Sequence, residues 1–493
     1  MTTDHAGAFP HPAYARYVLE PAFHESQRHL FDHMIAANEA HTLMLHATGV
    51  LDDAQAAALL RALRQVCEEG VDTFAYTPAV EDLFFAVEGR LIEIAGPDVG
   101  GNLQIARSRN DLAAGMSRMM LRERLLAARA QVLDLREVLL DLIERHTSTL
   151  MPGITHTQPA QPTTLAHYLL GVLGPLERDS ERLARAFDRA NQSAFGVAAF
   201  TTSSFPVDRD LVARLLGFDG LVENGYDAVG ASDHLLEAVH ALVNSVGSLS
   251  RFVYELLVWT RQSESVLRID DAFIQISSIM PQKRNPVVLE HVRVRIGWVY
   301  GDAATVATIV HNAAFGDTND VEDPMFVPLN RAFDAAEMVY GLLAAVLATA
   351  TFNVAGMAER AGAGNTTATA LADALVRKHG IPFRSAHTIV SRIVTRTTHD
   401  GAPITAGLVN DVSGTVLGRP LDVTEAFVAG ALDPWGFVAA RTVPGGPAPE
   451  TTAAAAAHAR ERLDADRFAL DGDAERIAAA GIERAHRIAD LVG

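Results

Sequence analysis

Residues 112–150, LAAGMSRMMLRERLLAARAQVLDLREVLLDLIERHTSTL, decide the fold class. The stretch holds one glycine, Gly115, and no proline. Its apolar residues recur every three to four positions, with Met119, Leu125, Val132, Leu139 and Leu142 on one stripe. An unbroken helix of this length runs on the order of 50 Å. Outward from it, similar segments follow at about 163–192, 226–268, 286–312 and 324–354, joined by short breaks that carry Gly, Pro or Ser. Five long helices in succession predict an elongated bundle. On the N-terminal side the helical runs are shorter, as at Asp53–Glu69. On the C-terminal side they shorten again, at 366–378 and 385–397, before a Pro/Gly-rich stretch at 443–450 and an Ala/Arg/Glu-rich tail that is helical by propensity. No stretch of alternating β-branched residues is long enough for a sheet of any size. The predicted class is mainly α, in three domains: 1–111, a central helical bundle at 112–362, and 363–493.

Composition bounds the function. With 49% hydrophobic and 20% charged residues the chain reads as a globular protein. A formal charge of -19 argues against sequence-independent nucleic-acid binding, which needs a basic face. The single cysteine, Cys67, rules out an intrachain disulfide and fits a reducing compartment, so a cytoplasmic setting is expected. The N-terminal stretch lacks the basic-then-apolar order of a secretory signal. Residues 338–357, MVYGLLAAVLATATFNVAGM, carry no charge and are long enough to cross a bilayer. Their Ala/Thr-rich middle and flanking Glu337 and Glu359 favour a helix buried in the bundle, so no membrane partner is expected. No metal-ligand spacing and no phosphate-cradling glycine turn occurs, and neither metal nor cofactor is expected.

Three polar segments lie at the ends of the long helices: 106–111 (ARSRND), 155–162 (THTQPAQP) and 277–286 (SSIMPQKRNP). Singly, each has an ordinary reading. The first is a helix cap with a solvated charge pair, the second a Pro-punctuated loop, and a lone histidine such as His156 is more often structural than catalytic. Together they resemble the fumarase/aspartase superfamily, and argininosuccinate lyases within it. The third segment follows that superfamily's Gly-Ser-Ser-x-Met-Pro-x-Lys-x-Asn-Pro loop except that Ile276 stands for the leading glycine. The first carries the Ser-Arg-Asn-Asp and the second the Thr-His-x-Gln-x-Ala-Gln-Pro of argininosuccinate lyases. Glu81-Asp82, Asn224-x-x-Asp227 and Gly445-Gly-x-Ala-Pro-Glu450 add weaker matches in the same order.

The resemblance implies a homotetramer with a shared helical core and active sites drawn from different subunits, each acting on a small-molecule substrate. It implies elimination of fumarate from an N-substituted aspartate. Such a reaction needs a base for a weakly acidic carbon-bound proton, donors for a doubly charged aci-carboxylate, and an acid for the leaving nitrogen. By resemblance Ser277 is the base, with Lys283 and Asn285 placed to stabilise the carboxylate. His156, oriented by Glu290, is the candidate acid. Ser108, Arg109, Asn110, Thr155 and Gln158 are expected to bind the succinyl carboxylates, although Arg109 has an equally plain role in a structural ion pair.

Departures from the family gather where the amine half would sit. The family's Asp-Arg-Asp reads Ala231-Ser232-Asp233, its N-terminal Gly-Ser contact reads Ala37-Asn38, and its Tyr-Asn-x-Asp-Leu-Gln-Glu-Asp-Lys loop reads FGDTNDVED at 315–323. Asn38, Asp320 and Asp323 thereby become candidate substrate contacts. A carboxylate-rich wall suits a cationic amine and disfavours the α-carboxylate of arginine. The expectation is therefore a lyase for a diamine adduct, of the ethylenediamine-disuccinate lyase type. The alternatives are a housekeeping argininosuccinate lyase and a non-catalytic structural homologue; adenylosuccinate cleavage and fumarate hydration fit the Ser-Arg-Asn-Asp segment less well.

Overall fold

The structure is a computed structural model that describes residues 9–400 and 402–493; the first eight residues of the stretch examined for a signal lie outside the described residues. Among the helices that lead in are α1 (Phe31–Ala47), α2 (Asp53–Glu69) and α3 (Leu83–Ala95). Asp52 and Gln55 close a capping box at the start of α2. The long helix α4 (Arg109–Arg145) follows, and the whole predicted stripe from Met119 to Leu142 is buried. At its end the chain turns into a hairpin, β1 (Leu150–Thr155) and β2 (Gln158–Thr164). Then come α5 (Leu165–Ala190), the short α6 (Gly225–Gly230) and α7 (Asp233–Trp259). A second small hairpin, β3 (Gln275–Ile276) with β4 (Arg284–Asn285), leads into α8 (Val287–Val310) and α9 (Asp323–Thr349).

The five long helices α4, α5, α7, α8 and α9 pack as one bundle, α4 against α5 and α9, α7 against α5 and α8, and α8 against α9. A buried polar contact is satisfied across it, where Tyr340 Oη donates to Ser245 Oγ at 2.9 Å. A separate apolar core, from Leu371 to Val428, is built by α10 (Ala368–His379), α11 (Phe383–Asp400), α12 (Ala406–Leu417) and α13 (Glu425–Leu432). The last helix, α14 (Pro449–Val492), leaves that core and returns along α4. It docks through buried Leu463, Leu470 and Ile488 and through charge: Arg129 meets Asp473 at 2.6 Å, the fully buried Arg136 meets Asp466 at 2.5 Å, and Arg467 meets Glu137 at 2.9 Å.

Three sequence expectations change. The 155–162 segment is no loop: it forms most of an antiparallel hairpin, with Leu150 opposite Thr164 and Pro152 opposite Pro162. A two-stranded ribbon has only edge strands, so its prolines remove few ladder hydrogen bonds. The 226–268 helix breaks at Ala231, whose backbone is extended, and ends at Trp259. The uncharged 338–357 stretch is likewise not one helix. It stops at Thr349, passes through a short strand at Thr351–Phe352, and restarts at Val354. One helical stretch, Asn319–Thr349, is long and apolar enough to span a bilayer by length and composition, yet Leu343, Val346 and Leu347 are buried in the bundle.

Candidate active site

The first motif is built by a helix start. Ser108 caps α4, its Oγ accepting from the Asn110 N–H at 3.4 Å and donating to Asn110 Oδ1 at 3.0 Å. Asp111 returns the cap by accepting from the Ser108 N–H at 2.9 Å. The buried Asp111 carboxyl also accepts from the Gly196 and Ala198 N–H groups at 2.9 and 3.1 Å, and burial pushes its pKa up to about 6. The segment reads as a helix cap from its sequence, but the burial of Asp111 against the Gly196 and Ala198 N–H groups was not foreseen. Arg109 is half-exposed and already engaged: Nη1 reaches Asp82 at 2.9 Å and Glu81 at 3.4 Å, and the guanidinium lies 4.8 Å from the Phe85 ring centre. The ion-pair role of Arg109 is therefore present, with Glu81-Asp82 as its anchor.

Asn38 takes no part in an open site. It is 1% exposed, on the inner face of α1, and its Oδ1 accepts from the Arg107 guanidinium at 2.6 Å. The expected substrate contact is, in this chain, a buried acceptor for Arg107. Position 38 faces the core because α1 buries this flank, a fact that residue type alone does not carry.

Thr155, His156 and Gln158 sit at the tip of the β1–β2 hairpin and are exposed, as is Thr157 between them. His156 and Thr157 occupy the left-handed region, at φ 52° and 64°. A two-residue hairpin turn demands that conformation, usually with Asn or Gly, and its absence from the sequence hid the turn. Among the described residues no hydrogen bond or ion pair joins His156 to Glu290 or Ser277 within one chain; Glu290 lies exposed on the first turn of α8.

The third motif is a loop clasped by its own ends. Gln275 pairs with Asn285 and Ile276 with Arg284, so Ser277 to Lys283 are held between two short strands. Ile276, in the glycine's place, lies in the ladder with a 77% exposed side chain. Arg284 anchors the clasp through the Ile269 carbonyl at 2.9 Å and an ion pair with Asp271. Inside the loop the Met280 N–H donates to Ser277 Oγ at 3.1 Å, and Lys283 N–H donates to the Met280 carbonyl at 3.0 Å. A backbone donor aimed at the serine oxygen favours its charged form. Ser277 and Asn285 are half-buried, while Lys283 is exposed.

The acidic 315–323 loop lies beside the first motif. The charges of Arg109 and Asp82 both act on Asp323, and that of Arg109 acts on Glu322. Burial raises the Glu322 pKa, helped by a hydrogen bond that protonated Glu322 donates to Asp317 and by the Asp317 and Asp323 charges. Burial, then Asp82, pushes Asp323 up to about 6, with Arg109 opposing. Asp320 is exposed. The loop is seated by a close backbone approach: a Cβ on Gly230 would lie 2.8 Å from the Gly316 nitrogen. Beside it Tyr226 stacks on Phe200, with ring centres 4.4 Å apart. The motif comparison gave Gly230 and Gly316 no role. Gly230→Ala is expected to push the loop off its seat at about 1–3 kcal/mol, seen as a lower denaturation midpoint and faster proteolysis within 313–322.

The carboxyl cluster sets a pH dependence. A raised native pKa means that the folded protein holds a proton that the unfolded chain releases. That contribution is complete below about pH 4 and is lost as pH rises through about 6 at Asp323. The Asp323 residue keeps part of its surface in water at the helix start, which moderates the effect. Asp323→Asn is expected to lose less stability than the parent between pH 5 and pH 8, measured by urea unfolding at both values.

Comparison with known proteins fits this site. A lyase family model matches residues 22–301, and an argininosuccinate lyase C-terminal model matches 365–439. The argininosuccinate lyase of Methanoculleus marisnigri is 41% identical over 428 residues, 87% of this chain and 86% of its own. That of Methanospirillum hungatei is 37% identical over 470 residues, 95% of each chain. The crystal structure of an EDDS lyase in complex with formate superposes with a TM-score of 0.87 at 30% identity, covering 96% of both chains. With its bundle and three motifs, the chain defines a carbon–nitrogen lyase. It belongs to the fumarase/aspartase superfamily and is argininosuccinate lyase-like within it.

Proposed function

We propose that the protein releases fumarate from an N-substituted L-aspartate, with argininosuccinate the first adduct to test. The observation that carries this reading is the clasped serine loop, in which a backbone N–H supports the Ser277 oxygen and Lys283 and Asn285 follow on the same short hairpin. Ser277 Oγ takes the proton from the carbon next to the distal succinyl carboxylate. Lys283 and Asn285 stabilise the aci-carboxylate that results, and Ser108, Asn110, Thr155 and Gln158 hold the carboxylates. The carbon–nitrogen bond then breaks as His156, with Glu290 behind it, protonates the leaving nitrogen. The enzyme works in the cytoplasm.

For the amine half, relatives named argininosuccinate lyase at 36–41% identity support arginine over the diamine expected from the loop. A second reading stays in play because of one observation: Asp317, Glu322 and Asp323 gather beside Arg109, and EDDS lyase structures match nearly the whole chain. Incubating the enzyme with fumarate plus arginine, and separately with fumarate plus ethylenediamine, decides between them when adducts are identified by mass. Argininosuccinate formation at the higher rate supports the first reading. Diamine adducts formed at least about tenfold faster would establish the second.

We also propose a homotetramer. His156 stands on an exposed hairpin tip with no hydrogen bond or ion pair to Ser277 or Glu290 among the described residues, and the outer faces of α7, α8 and α9 expose Tyr254, Val294, Trp298 and Met338. Apolar side chains on bundle faces suit burial against other copies.

A further inference from the structure

Behind the Ser108–Asn110 turn lies an arginine that the reaction scheme does not use. Ala106 adopts φ 62°, and across this reversal consecutive arginines part company. Arg109 reaches the half-exposed Asp82, whereas Arg107 goes into the interior under α1. There its Nε donates to Gln104 Oε1 at 2.8 Å and one Nη to Asn38 Oδ1 at 2.6 Å. The other Nη is enclosed without a hydrogen-bond partner. His41, one turn along α1 from Asn38, closes the same region by bonding the Ile105 carbonyl at 3.0 Å. Arg107, His41, Asp111 and Arg209 line a cavity of about 10 Å³. Burial lowers the Arg107 pKa to about 10, with Asp111 and Glu88 opposing, so the group stays charged at neutral pH. A charge so placed is poorly compensated as a stabilising device, since buried arginine nitrogens without partners are unfavourable. Its geometric effect is plain, however: it ties the start of the turn at Gln104 to helix α1 through Asn38, and its charge acts on Asp111 beyond the turn.

We infer that Arg107 is a positioning residue, its guanidinium clamped between Gln104 and Asn38 so as to fix how Ser108 and Asn110 present to the succinyl carboxylates. The inference rests on the reading of that turn as succinyl-binding. It also gives Asn38 its role, as the floor on which the turn is set. Lysine cannot reproduce the clamp, because a single ammonium lacks the planar fork that spans two acceptors.

The test is steady-state kinetics of Arg107→Lys, Arg107→Ala and Asn38→Ala on the adduct that the parent enzyme cleaves, with product inhibition by fumarate and by the amine measured separately. Arg107→Lys is expected to raise KM and the fumarate inhibition constant at least about tenfold, leave the amine constant within about twofold, and lower kcat less than it raises KM. Asn38→Ala shifts the same constants in the same direction by less, and it carries the test if the arginine variants do not fold. Methylguanidinium is expected to restore part of the fumarate affinity to Arg107→Ala. Fumarate and amine constants that rise together alongside a lower denaturation midpoint would make Arg107 a core ion only and overturn the inference. Unchanged constants in folded Arg107→Lys overturn it as well. A parent enzyme that releases no fumarate from any adduct overturns the functional reading, and this inference with it.

Discussion

Ser277→Ala is expected to lower elimination by about 10³–10⁴-fold while leaving the fold and the assembly intact. Removing the hydroxyl takes away the only proposed base, and the change is small in volume at a half-buried position, so packing is little disturbed. What disappears is one hydrogen bond within the loop, from the Met280 N–H, and the β3–β4 clasp does not depend on it. Stopped assays for fumarate, with circular dichroism and light scattering on the same sample, check both halves of the expectation. Retention of more than a few per cent of the parent rate in folded protein would remove Ser277 from the role.

The second large effect is the recovery of activity from two inactive proteins. His156→Asn is expected to cost about 10²–10⁴-fold on its own. If His156 and Ser277 reach one site from different subunits, co-refolded mixtures of Ser277→Ala and His156→Asn chains contain sites with both residues intact. Random assembly of equal amounts leaves about one quarter of sites complete, so about a quarter of parent activity is expected. The structure motivates this. His156 stands on an exposed hairpin tip, and no hydrogen bond or ion pair links it to Ser277 or Glu290 among the described residues. Mixed tetramers, verified by mass, that stay inactive would place both residues in one subunit's site.

Much of the architecture was legible because helices write themselves locally. The stripe from Met119 to Leu142 predicted a long helix, and the 106–111 segment read as its cap. The α2 helix was read with the bounds it has in the structure. Where helices stop was less legible: the uncharged run 338–357 shows no stop signal, yet the chain leaves the helix after Thr349 so that Thr351 and Phe352 can pair with Arg268 and Leu267. That pairing partner lies some 80 residues away, and no local pattern encodes it. The hairpin turn at His156-Thr157 was hidden for another reason, since neither residue is the Asn or Gly usual at these positive-φ positions and both are held there by the strands on either side.

The candidate site divides the same way. Sequence by itself determined which side chains stand in the three motifs, that the class is mainly α, and that the chain resembles carbon–nitrogen lyases. Residue type and order are enough for that, because the chemistry needs a serine, a lysine, a histidine and amide donors at fixed offsets. Only the tertiary structure decided which way each side chain goes. It turned Asn38 inward onto Arg107, tied Arg109 to Asp82 and Glu81, and set the 315–323 carboxylates beside them through the Gly230–Gly316 approach. These outcomes depend on which helix covers which flank and on the charges that burial brings together. Both are properties of packing across distant segments, and a single position in the sequence carries neither.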